Sequence, residues 1–81
     1  MGVRHDGSWV KQERMNRISH YILNQFKASN RINLNKLRAW VEINIGLTPR
    51  RAEEYIATIS LAYDWLIKDG LLIKPETTGL V

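Results

Sequence analysis

Two adjacent arginines, Arg50 and Arg51, follow the pair Thr48-Pro49. Thr48 is a good helix N-cap, and Pro49 suits the first helical position, where its missing N–H costs nothing. Both guanidinium groups are therefore expected in the first turn of a helix. Cations there oppose the helix macrodipole, at about 0.3–1 kcal/mol each when exposed. A helix built only for stability carries Asp or Glu in that turn, with a glutamate in place of Arg51 to complete a capping box. The arginines answer some other requirement. Forked guanidinium donors suit phosphate oxygens and the acceptor edge of guanine. The plain alternative is that Arg50 pairs with Glu54 at i,i+4 and both decorate the surface.

The same chemistry recurs nearby. Lys36 and Arg38 lie in the opening turns of a preceding helix, Arg31 stands just before it, and Lys74 follows the strand-like Leu71-Leu72-Ile73. The chain carries 12 Lys+Arg and 8 Asp+Glu, a net charge of +4. The distribution is uneven: residues 1–51 hold ten basic and three acidic side chains (+7), and residues 52–81 hold two and five (−3). A basic half beside an acidic half fits one face for a polyanion and another turned away from it. A solvated basic surface is the simpler reading of the same balance.

Catalysis finds no support. His5 and His20 have no carboxylate or histidine at metal-ligand spacing. There is no glycine-rich phosphate loop, no nucleophile motif and no pair of acids on one helical face. No enzyme activity, metal or cofactor is expected. The absence of cysteine removes disulfides and thiolate chemistry and fits a cytoplasmic protein. No apolar run approaches the ~18 residues of a membrane span, and Met1–Asp6 lacks the apolar core of a signal peptide.

Eighty-one residues make one domain with one small core. Residues 1–8 carry no pattern and are expected to be disordered, leaving 9–81 as the folded unit. Ser8 would cap a first helix over about 9–28, with Met15, Ile18, Ile22 and Phe26 on one face. A short strand is expected near 31–33. Asn33 or Asn35 caps a second helix over 34–45, on which Leu37, Val41 and Ile45 align, and Gly46 supplies the left-handed residue that ends it. The third helix is expected over 49–69, with Ala52, Tyr55, Ile56, Ile59, Tyr63, Leu66 and Ile67 as its stripe and Gly70 closing it. Leu71-Leu72-Ile73 and Gly79-Leu80-Val81 read as the two strands of a C-terminal hairpin. Leu61 and Trp65 fall on the far side of the third helix from its stripe. Either the first helix covers them, or they form a dimer interface with a second copy or a site for a partner protein.

Val41, Ile45, Leu47, Ala52 and Tyr55 occupy the apolar positions of a helix-turn-helix, with Gly46 in its turn. On these residues the chain resembles winged helix-turn-helix DNA-binding domains of the small archaeal type, in which Gly-Leu-Thr leads into an arginine-rich helix and Tyr-Ile. The resemblance covers about residues 15–81. Glu42, four before the glycine, stands where that motif carries a small residue. The resemblance implies a mainly α fold of three helices with a short C-terminal β-hairpin as wing. It also implies double-stranded DNA as partner and a role as a small transcriptional regulator. The third helix would enter the major groove with Thr48, Arg50 and Arg51, while Lys36, Arg38, Arg31 and Lys74 would meet phosphates. The rival reading is a winged-helix module for protein–protein interaction within a larger complex, using the second apolar face.

Overall fold

The computed structural model describes residues 7–75. Its elements, in chain order, are α1 (Gly7–Phe26), β1 (Arg31–Asn33), α2 (Leu34–Ile45), α3 (Pro49–Tyr63), β2 (Leu66–Lys68) and β3 (Leu71–Ile73). The strands form one antiparallel sheet in the order β1-β3-β2, with Ile32, Leu72 and Ile67 in one row. The protein is thus a mainly helical domain with a small β wing. No helix among the described residues is long and apolar enough to cross a membrane.

The helix boundaries follow from local chemistry. The Asn33 side chain accepts the Lys36 N–H at 3.1 Å and starts α2. Gly46 ends it at φ 82°, donating its own N–H to the Glu42 carbonyl. Thr48 Oγ1 accepts the Arg51 N–H at 3.3 Å, and Pro49 opens α3. The core is then one cluster. Ile18, Ile22 and Phe26 of α1 meet Leu37 and Val41 of α2, and Ala52, Tyr55, Ile56 and Ile59 of α3, with Leu72 of β3 closing the base.

Three expectations need correction. First, α3 stops at Tyr63, not near 69. Asp64 adopts the left-handed conformation at φ 62°, and the Trp65 N–H turns back to the Ser60 carbonyl at 2.8 Å. This is a Schellman-type closure, which aspartate reaches more cheaply than most non-glycine residues. Second, the hairpin joins Leu66–Lys68 to Leu71–Ile73. Asp69 and Gly70 both have positive φ, 52° and 75°, as a two-residue type I′ loop requires. The turn at 74–78 and the strand at 79–81 fall largely outside the described residues, where only Lys74 and Pro75 are seen, and neither belongs to a strand.

Third, Trp65 is not on an outer helix face. It is 8% exposed and lies edge-on to Phe26, with ring centroids 5.0 Å apart, and stacked on Tyr63 at 4.5 Å. The expectation assumed that α3 continued through residue 65. Because the helix ends first, the ring swings under the domain and meets the last turn of α1, so of the two alternatives for Trp65 it is the cover by the first helix that is seen. Leu61 does project outward, at 78% exposure. Smaller differences lie in α1, which ends at Phe26 and takes in Gly7 and Ser8, so Ser8 lies inside the helix rather than capping it. The rest of the segment expected to be disordered, 1–6, lies outside the described residues.

Candidate nucleic-acid interface

The basic residues expected at the site divide into paired and unpaired groups. Arg50 and Arg51 project from the first turn of α3, with side chains 88% and 55% exposed. Both reach toward one carboxylate, that of Glu54, at 3.7 and 3.6 Å. These are long, solvated contacts, and exposed pairs of this kind contribute at most about 1 kcal/mol. Two guanidinium groups sharing one carboxylate keep a net positive charge at the helix tip. Thr48 is engaged as the cap beneath them.

Arg38 is placed differently. Its Nη1 donates to Glu53 Oε2 at 2.8 Å, across from α2 to α3, and its Nε lies 3.3 Å from Glu42 Oε2. The Nε is buried and makes no aligned hydrogen bond. One cation thus ties two carboxylates at the helix crossing, an engagement that the reading of Arg38 as a phosphate contact does not include. Glu42, anomalous for the motif, has its partner here.

Lys36, Arg31 and Lys74 are exposed, and none makes an ion pair among the described residues. Lys36 sits in the first turn of α2, beside the hairpin turn, because the Leu34 N–H donates to the Gly70 carbonyl at 3.0 Å. Arg31 and Lys74 stand together at the opposite end of the sheet: Arg31 pairs with Ile73, and the Lys74 N–H donates to the Asn30 carbonyl at 2.9 Å.

The structure adds two basic residues to the candidates. Lys11 of α1 lines a cleft with Arg51, Glu54 and Tyr55 of α3. Nothing local in α1 marks Lys11, because the cleft exists only once α1 packs on α3. Lys68 ends β2 beside the Asp69-Gly70 turn, in one row with Asn33 and Leu71. The Asp-Gly pair after an apolar run was the available signal for it. Against these, the groove between α3 and β2 is apolar, lined by Ala57, Leu61, Trp65, Leu66 and Ile67, with Asp64 at its rim. No cluster of metal-binding side chains occurs among the described residues. Compared with protein-family models, with curated proteins and with solved structures, the chain matches none.

Proposed function

We propose that this chain binds double-stranded DNA as a small transcriptional regulator in the cytoplasm, with the first turn of α3 directed into the major groove. The observation that carries the reading is the pair Arg50 and Arg51, exposed on a capped helix tip and held only by long contacts to one glutamate. A phosphate or guanine edge replaces such contacts at little cost. Lys11 extends this charge on the α1 side. Lys36 and Lys68 flank the hairpin turn and suit phosphate contacts from the wing. Binding of a random-sequence duplex, followed by fluorescence anisotropy, tests the reading. Arg50→Ala and Arg51→Ala are expected to weaken it while Arg38→Ala leaves it nearly unchanged.

A second reading has its own support. Leu61, Leu66 and Ile67 are exposed together along the α3–β2 groove. Exposed aliphatic side chains give phosphate nothing, whereas a protein partner or a second copy would bury them. Sedimentation of the wild type and of Leu61→Glu separates these cases. A dimer that dissociates in the variant favours self-association, and a monomer in both leaves a different protein as the occupant.

A further inference from the structure

The outer face formed by α1 and α2 carries a second site-like arrangement that the DNA reading does not use. Tyr21 of α1 and Trp40 of α2 stack face to face, with centroids 3.9 Å apart and planes within 12°. Both rings are half-buried and form the floor of an open groove of about 640 Å³. Arg17, His20 and Lys27 line it, with Leu23 and Asn24, and no carboxylate does so. Arg17 also reaches the Asn44 carbonyl at 3.5 Å, so its charge stays on this face. Glu13, one turn before Arg17, makes no ion pair with it. Ile43, one turn beyond Trp40 on α2, is 80% exposed.

We infer that this α1–α2 groove docks an acidic amphipathic helix of a partner protein. Charge complementarity selects the partner: an aromatic floor with Leu23 beside it and the exposed Ile43 one turn along α2, with cations but no carboxylate in the lining, match a helix with leucine or phenylalanine on one face and Asp or Glu beside it. A nucleic acid is the poorer fit. The two rings stack on each other, so no base inserts between them, and Leu23 and Ile43 offer a phosphate backbone nothing. The groove is lined by α1 and α2 residues and by neither Arg50 nor Arg51, so partner and DNA would use different side chains.

The test is a selection from a display library of helical peptides with randomised surface positions. Wild-type protein is the bait and the double variant Lys27→Glu/Ile43→Glu the counter-selection. Both substituted side chains are exposed, so the variant folds, which circular dichroism verifies. The expected result is enrichment of acidic peptides with leucine or phenylalanine at i,i+4. Their synthetic copies should shift the amide resonances of residues 17–27 and 36–44, bind the variant at least tenfold more weakly, and bind tenfold more weakly when their acids are changed to lysine. Duplex DNA binding by the variant should stay within twofold. No enrichment, enrichment of basic or charge-indifferent peptides, or shifts elsewhere overturns the inference. So does a single-stranded oligonucleotide that perturbs the same resonances when the peptides do not.

Discussion

Arg38 of α2 donates through Nη1 to Glu53 of α3 at 2.8 Å, and this bond spans the crossing of the two helices. The same guanidinium holds Glu42 on its own helix. Its removal leaves two carboxylates facing one another without a cation. Arg38→Ala is expected to cost about 1–2 kcal/mol of stability. A double-mutant cycle with Glu53→Ala should give a coupling of about 0.5–1 kcal/mol in urea denaturation. Unchanged stability with a tenfold loss of DNA affinity would instead make Arg38 a phosphate contact.

Trp65 and Leu61, expected to share one face, are predicted to respond oppositely. Trp65 is packed against Phe26 and Tyr63. Trp65→Ala should cost about 3–5 kcal/mol, which leaves a domain of this size at the edge of unfolding. Leu61→Glu changes an exposed side chain and should stay within about 0.5 kcal/mol. Guanidinium denaturation followed by circular dichroism distinguishes the two.

Gly70 holds the wing. At φ 75° it occupies a conformation that costs a side-chain-bearing residue about 1–2 kcal/mol. Nothing lies within 4 Å of the position a Cβ would take, so the penalty is conformational, not steric crowding by neighbours. Gly70→Ala should lower the melting temperature by roughly 4–16 °C, whereas Asp69→Asn, which tolerates the left-handed region as well, should be nearly neutral.

Much of this fold is legible in the sequence where the signal is local. Asn33, Gly46 and the Thr48-Pro49 pair mark helix boundaries through their own side chains and backbone, and each acts in the structure as expected. The wing was misplaced because two local signals compete at Asp69-Gly70: a glycine that accepts positive φ closes a helix as readily as it turns a hairpin. The apolar run Tyr63, Leu66 and Ile67 continued the helical spacing by coincidence, and in the structure Leu66 and Ile67 belong to β2. The candidate site was less legible, because its key relations are long-range. Arg38 meets Glu53 fifteen positions away, and Lys11 shares a cleft with Arg51 forty positions away. No spacing rule reaches across those distances.

Arg50→Ala and Arg51→Ala should each weaken duplex binding by about 1–3 kcal/mol if the guanidinium groups contact bases, and relax sequence preference at the contacted position. Because the contacts to Glu54 are long and the helix dipole opposes both cations, thermal stability should hold or rise slightly. Lys11→Ala should weaken binding uniformly across sequences, as a phosphate contact does. Anisotropy on two or more duplexes, with melting curves, reads all three effects.

The most direct measurement of DNA binding is its salt dependence on a random-sequence duplex. If Lys11, Lys36, Arg50, Arg51 and Lys68 make about five phosphate or base-edge contacts, the logarithm of the association constant should fall with the logarithm of salt concentration at a slope of roughly −4 to −5. The slope should become shallower by about 1 in Lys11→Ala or Lys36→Ala. A flat salt response, or no binding at low salt, contradicts the DNA reading.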